Sequence, residues 1–314
     1  MRARSARVRG VAVEARAKLN LGLAVGPRRA DGFHELATIF QSVSLADTLI
    51  ARPARVGFSL SVRREDVSLN GRVPPGLNAP ASGVNLVLRA ARTLARRVGL
   101  GAGARFELIK RIPARSGLGG GSADAAATLA ALDALYGLGL SGAEKREIAL
   151  ELGSDVPFAV SGGTALGEGR GERLTPIAPG RGFRALVAVP RWGVSTAAAF
   201  ARVRRRKYGL TAWVAKLRFA RKIRRRGYRP ERALLLGNAL EDVLGDRRPD
   251  FISLRRRLRQ TGAAGVHMTG SGSAVFGLLE PGAGFSAAAA RFAGNETLYG
   301  VRSMRAGLRV RTLV

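Results

Sequence analysis

Apolar side chains fall on every second position from Val11 to Val25: Val11, Val13, Ala15, Ala17, Leu19, Leu21, Leu23 and Val25. A period of two marks a strand with one buried face, so this stretch predicts a long half-buried strand or hairpin arm. The same alternation puts Glu14, Arg16, Lys18 and Asn20 on the opposite face, with Lys18 and Asn20 side by side and away from the main core. Gly26-Pro27 and Asp31-Gly32 punctuate the turn that follows. Beyond it the pattern predicts a helix over 84–98, a strand over 105–109, and a helix over 122–136 behind a run of glycines. A helix over 143–152 and a strand or hairpin over 158–166 come next.

The second half opens with a strand near 183–189 and a helix over 196–206. Trp213, Leu217, Ala220 and Ile223 then recur at roughly helical spacing, which predicts a helix docking one apolar stripe. A helix over 250–260, a strand pair over 266–279 and a helix over 285–293 complete the pattern. Strands and helices mix without the regular alternation of a doubly wound sheet, so the fold class is α+β. With 314 residues, 46% of them hydrophobic, the chain exceeds what one core needs, and two lobes sharing an interface are expected. Their division is expected near Gly167 to Leu174, giving residues 1–168 and 169–314. No internal repeat is present.

Composition narrows the chemistry. There is no cysteine, which removes disulfides, thiolate catalysis and cysteine-ligated metals. His34 and His267 are the only histidines, so no protein-built metal centre is predicted. A magnesium ion held mainly by substrate phosphates fits such a chain. The most apolar stretch, Ala125 to Leu140, is interrupted by Asp133 and glycines and predicts no membrane span. The opening MRARSARVRG is basic without an apolar signal segment, so a cytoplasmic location is expected. The net charge of +31 suits nucleic acid, an anionic surface or a polyanionic small substrate. From Arg202 to Arg229 there are 13 Lys or Arg residues and no acidic one, most simply a solvated face of the basic helix. No RNA-recognition aromatics or zinc-finger spacing accompany it, which leaves nucleic-acid contact through 202–229 as a secondary reading.

The strongest local motif is PARSGLGGGSADAAATLAALDALYG, from Pro113 to Gly137. Glycines allow close backbone approach to phosphates, and the unpaired N–H groups at the start of the following helix favour anions. An ordinary turn with Ser122 or Asp124 as N-cap would carry the same residues. No Gly-Lys dipeptide exists, so a P-loop is excluded, and Ser122 stands where a dinucleotide fingerprint needs its last glycine.

GLGGGSADAA resembles the central ATP-binding motif of the GHMP kinases. Three collinear segments extend the likeness. Ala17 to Asp47, with DGFHEL inside it, resembles the N-terminal signature of the 4-diphosphocytidyl-2-C-methyl-D-erythritol kinase family. Leu152 to Leu174 resembles its acidic catalytic segment, and HMTGSGSAVFG (His267 to Gly277) the superfamily's C-terminal glycine motif. The resemblance implies a two-lobed fold: an N-terminal lobe like ribosomal protein S5 domain 2, a C-terminal ferredoxin-like lobe, and the site in the cleft. It implies transfer of the ATP γ-phosphoryl group to the 2-hydroxyl of a cytidine diphosphate methylerythritol, in the non-mevalonate route to isoprenoids. ATP with Mg2+ on its phosphates is the implied cofactor; a homodimer is left open.

By the same resemblance Asp155 is the catalytic base and Lys18 its cationic partner, while Ser-Asp-Val-Pro would also read as a helix cap. Pro113, Ala114, Arg115, Ser116, Gly117, Leu118, Gly119, Gly120, Gly121, Ser122 and Ala123 form the nucleotide loop. Asn20, Phe33, His34, Phe200, Thr269 and Gly270 bind the acceptor, with Trp192 competing with Phe200 for the second aromatic wall. Phe33 stands where tyrosine is usual, which keeps the stacking face and loses the hydroxyl. Arg115 and Ser116 replace the usual small residues at the loop entry. The alternatives are another GHMP kinase of homoserine or mevalonate type, against which DGFHEL argues, and a polyanion-binding protein on a degenerate kinase scaffold.

Overall fold

The computed structural model describes residues 9–73, 84–205, 210–225 and 228–313, and the side chains of 204, 205 and 225 stand outside that description. The basic run expected over 202–229 therefore lies partly outside the described residues.

The first lobe is built on β1 (Gly10–Arg28), β2 (His34–Ala54) and β3 (Phe58–Arg64), then α1 (Leu86–Val98) and β4 (Gly103–Lys110). α2 (Gly120–Tyr136), α3 (Gly142–Leu152), α4 (Val156–Ser161), β5 (Thr164–Gly169) and β6 (Arg173–Pro176) follow. β1 and β2 form a long antiparallel pair, and β2 then pairs β4 with one end and β5 with the other. α2 packs behind this sheet and is alanine-rich because it is buried nearly all round, from Ala123 through Leu132.

Three expectations change here. β1 does not keep one apolar face. Asn20 pairs with Phe40 and Gly22 with Ile39, so a bulge absorbs Leu21 and inverts the phase. Ala24 joins the core that holds Val11 to Leu21, whereas Leu23 and Val25 pack into the cluster of the second lobe. Glycine is needed at position 22 because a Cβ there would stand 2.6 Å from the Ala233 carbonyl oxygen. Second, α2 starts two residues before Ser122, on Gly119 in the left-handed region, and neither Ser122 nor Asp124 caps it. Third, Phe158 lies in a helix, not in a strand. Pro157 opens that short turn and Gly162-Gly163, both at positive φ, end it before β5.

The second lobe comprises β7 (Arg184–Val189), α5 (Thr196–Arg205), α6 (Leu210–Arg225), α7 (Pro230–Leu234) and α8 (Arg248–Gln260). β8 (Ala264–Met268), β9 (Val275–Leu279), α9 (Phe285–Ala290) and β10 (Thr297–Arg302) complete it, and β11 (Leu308–Leu313) follows. The order β10-β7-β9-β8 with antiparallel neighbours is that of a ferredoxin-like sheet. β6 and β11 belong instead to the larger sheet, pairing β5 and β1. α6 docks Trp213, Ala220 and Ile223 as its spacing predicts and exposes Lys216, Arg218, Lys222 and Arg224. Among the described residues no helix is long and apolar enough to cross a membrane.

Candidate active site

β11 covers the outer edge of β1 only as far as Ala15. Past Arg16, whose N–H donates to the Gly307 carbonyl at 2.9 Å, three other segments bind this edge. Lys18 N–H donates to the Leu118 carbonyl at 2.9 Å and Leu23 N–H to that of Gly237 at 2.7 Å. Asn20 N–H donates to the Thr269 hydroxyl at 3.0 Å. The glycine loop and two second-lobe segments are thereby set on one strand, around a cavity of about 1180 Å³.

Fourteen of the sequence-predicted residues line it: Lys18, Asn20, Phe33, His34, Pro113, Arg115, Gly117, Gly119, Gly120, Gly121, Ser122, Asp155, Phe200 and Gly270. Ala114, Ser116, Leu118, Ala123 and Thr269 are outside the lining, and Trp192 is too. Ser116 donates to the Pro113 carbonyl at 2.8 Å and accepts from Ala274 N–H at 2.9 Å, tying the loop to the second lobe.

The loop's shape depends on missing side chains. At Gly117, with φ +81°, a Cβ would stand 2.1 Å from the Thr269 carbonyl oxygen. At Gly119 it would meet the Lys18 stem at 2.9 Å. Because no side chain caps α2, the N–H groups of its first turn open toward the cavity. Arg115 is the one non-glycine at positive φ among the described residues, at 55°. Such a conformation costs about 1–2 kcal/mol in a non-glycine residue, and here it keeps an exposed guanidinium at the loop entry.

Lys18 is buried by the second lobe although it lies on the polar face of β1. Its Nζ contacts Asn20 Oδ1 at 2.5 Å and Asp155 Oδ2 at 3.5 Å. Asn20 is held in one orientation, its Nδ2 donating to Thr38 Oγ1 at 2.8 Å and that hydroxyl to the Gly22 carbonyl at 2.8 Å. A Cβ at Gly270 would stand 3.2 Å from Lys18 Nζ, so the second-lobe loop closes tightly over the ammonium. Asp155 is the N-cap residue just before α4, yet its carboxylate makes no cap bond. It is 38% exposed, against 8% for Lys18, and so presents a free oxygen to the cavity beside a fixed cation.

At the other end His34 Nδ1–H donates to the Gly26 carbonyl at 3.0 Å, which makes Nε2 the acceptor. Nε2 is buried without a partner. Phe200 faces the imidazole, with ring centroids 6.0 Å apart and planes at 29°. Phe33 is 51% exposed, and the Arg170 guanidinium covers its ring at 4.7 Å.

Several groups escape a reading by sequence. Arg170, Ser195 and Thr196 line the cavity, and Thr196 hydrogen-bonds Ser271 at 2.7 Å across it. Under the loop Lys110 is buried between Asp47 and Asp124, 2.8 Å from Asp124 Oδ2. Asp47 also accepts from Arg111 N–H at 2.6 Å and Ile112 N–H at 2.9 Å. Burial pushes the Asp124 carboxyl up to about 8, against the pull of Lys110. The 3.6 period of α2 could have singled out Asp124, a carboxylate among alanines, as needing a partner. Lys110 and Asp47 come from other strands, and only pairing unites them. Asn238 is similar: its Nδ2 donates to the carbonyls of Met268 and Gly270 at 2.7 and 2.9 Å, shaping the loop over Lys18.

Residues 85–163 match the family model of the GHMP kinase N-terminal domain and residues 220–295 that of the C-terminal domain. The 4-diphosphocytidyl-2-C-methyl-D-erythritol kinase of Pelotomaculum thermopropionicum is 43% identical over 84% of this chain and 87% of its own length. That of Nocardia farcinica is 39% identical over 93% of this chain and 92% of its own. A crystal structure of 4-(cytidine 5'-diphospho)-2C-methyl-D-erythritol kinase superposes with a TM-score of 0.71 at 35% identity, covering 93% of this chain and 98% of that one. Homoserine kinase from Cytophaga hutchinsonii has the same TM-score, 0.71, at 19% identity over 98% of this chain and 99% of its own, which is a likeness of fold alone. With its uncapped glycine loop, its Lys18–Asp155 pair and these relatives, the chain belongs to the 4-diphosphocytidyl-2-C-methyl-D-erythritol kinases, ATP-dependent phosphotransferases of the GHMP kinase family.

Proposed function

We propose that the chain transfers the γ-phosphoryl group of ATP to the 2-hydroxyl of 4-diphosphocytidyl-2-C-methyl-D-erythritol, in the non-mevalonate route to isoprenoid precursors. The observation that carries this reading is the Asp155 carboxylate, uncapped and 3.5 Å from Lys18 Nζ, beside a loop shaped for phosphates. Phosphoryl transfer asks the protein for positioning, for charge stabilisation and for a group that takes the hydroxyl proton. Asp155 receives that proton as the acceptor oxygen bonds to the γ-phosphorus and the bond to the β-phosphate oxygen breaks, releasing ADP. Lys18, 3.5 Å from Asp155, offsets charge on the reacting oxygens.

The backbone of Gly117 to Ser122 and the first turn of α2 hold the phosphates. Magnesium would travel on them and neutralise their charge; the Ser122 hydroxyl and Asp155 are hard oxygen donors on the lining that suit it. Among the described residues no group of three or more His, Cys, Asp or Glu could hold a metal. At the far end Phe33 and Phe200 take the cytosine faces, and His34 Nε2 accepts from its amino group. Asn20 and the Gly270 segment border the methylerythritol part.

We also take residue 168 as the working division between the lobes, supported by the separate second sheet, while β6 and β11 return to the first. ADP release with the cytidylated methylerythritol, homoserine and mevalonate tests the function. Turnover with the first alone is expected; turnover with only the other two overturns it.

A further inference from the structure

The wall formed by Phe33 lacks support of its own. Its ring is 51% exposed on the cavity lining and carries no hydroxyl to anchor its edge. The β5–β6 turn supplies what the Phe33 loop lacks. Gly169 and Gly171, at φ +70° and +101°, flank Arg170, and Arg170 N–H donates to Glu172 Oε2 at 2.5 Å. That turn aims the guanidinium back over the Phe33 ring, 4.7 Å from its centroid. Further links hold the two segments together. Asp31 accepts from Phe33 N–H at 3.1 Å and pairs with Arg29 at 3.1 Å. Glu35 takes Arg29 at 2.6 Å and Arg173 at 3.6 Å, so the β5–β6 turn grips the loop at two points.

We propose that Arg170 is a positioning residue for the pyrimidine end of the substrate, its guanidinium bracing one face of Phe33 so that the other face stands ready to stack. This rests on the reading of Phe33 as a cytosine wall. A cation over an aromatic face stabilises its placement modestly at exposed sites and more when desolvated. The ring that results is ordered before the base arrives, which lowers the entropic cost of binding. Arg170 does not reach the Lys18–Asp155 pair by any contact in the structure, so its effect belongs in substrate affinity and not in the chemical step.

The test is a double-mutant cycle with steady-state kinetics. Arg170→Met keeps the apolar stem and is expected to raise KM for the cytidylated substrate about 3- to 10-fold, with kcat and the KM for ATP within about two-fold. Arg170→Lys is expected to recover part of the loss. In a Phe33→Ala background Arg170→Met is expected to add nothing. An unchanged KM, an equal increase in the Phe33→Ala background, or a fall in kcat at constant KM each overturns the inference. Ring-carbon relaxation of labelled Phe33 without substrate gives a second measure: Arg170→Met should loosen the ring, and unchanged order overturns the brace. If the wild-type protein does not turn over the cytidylated substrate, the proposed function fails while ring order still decides the brace. If Phe33→Ala leaves KM unchanged, the cytosine-wall reading fails in the same separable way.

Discussion

At the scale of single residues, the decisive pair is Lys18 and Asp155. They lie 137 positions apart in sequence (155 − 18) and meet at 3.5 Å because the start of α4 brings its N-cap residue to the polar face of β1. Asp155→Asn keeps the shape and removes the proton acceptor. It is expected to lower kcat by about 10²- to 10⁴-fold while the Kd for ATP, read by calorimetry, stays within about two-fold. Turnover near the wild-type value would remove Asp155 from the role of base. Both residues stand in sequence motifs, so their candidacy was legible there. Their distance, and the missing cap bond that frees the carboxylate, were not.

At the scale of elements, the glycine loop separates backbone needs from space needs. Gly117→Ala places a methyl 2.1 Å from the Thr269 carbonyl at positive φ, so both stability and ATP binding are expected to fall. Gly121→Ala lies in helical conformation, where the new methyl meets only Leu86 at 3.2 Å. Stability is expected to change there by no more than about 1 kcal/mol, since alanine favours the helix, while the ATP Kd rises because Gly121 lines the cavity. Thermal melts and ATP titrations of the two variants check this, and equal melting losses would contradict it.

The buried cluster beneath the loop gives a pH expectation. Burial raises the Asp124 carboxyl to about 8 in the fold, whereas an unfolded aspartate releases its proton near 3.8. The folded state therefore binds more protons between those limits, and this group's contribution to stability falls as pH rises through that window. Asp124→Asn mimics the protonated form, so its melting temperature should decline less than the wild type's between pH 5 and 8. A parallel decline in both would refute the assignment. Asp47→Ala strips Lys110 and two backbone N–H groups of a buried acceptor and is expected to cost about 3–5 kcal/mol in denaturant unfolding.

At the scale of the whole molecule, β1 belongs to both cores. Its first part packs with Val11 to Leu21, and after the bulge Leu23 and Val25 enter the second cluster. β11, at the far end of the chain, pairs with the start of β1. Neither lobe is complete without a strand from the other's stretch, so a single cooperative calorimetric transition is expected; two separated transitions would show independent lobes. The charge of +31 acts at this scale as well. Lys216, Arg218, Lys222 and Arg224 stand exposed along α6, and such like charges repel over roughly 10 Å at 0.1 M salt. Raising NaCl from low to moderate concentration should therefore raise the melting temperature.

The sequence by itself determined the mixed α+β class and most element positions, and the kinase chemistry was implied by the resemblance of its motifs to the GHMP kinases. Period two, helical spacing, and glycine before an alanine-rich run are local properties that each segment carries alone. It also singled out the apolar stripe of α6, because Trp213, Ala220 and Ile223 reveal their common face by spacing. Tertiary structure decided what depends on partners distant along the chain. The bulge at Leu21 follows from the second lobe pressing on Gly22, and the helical turn at Phe158 from its seat beside α2 and α3. Asp124 looked like a cap and proved to be a buried carboxyl that accepts a hydrogen bond from a lysine of β4. Phe33 and Arg170 are 137 residues apart (170 − 33), and no period relates them. Local pattern selects the element; only packing decides which side chains share a space.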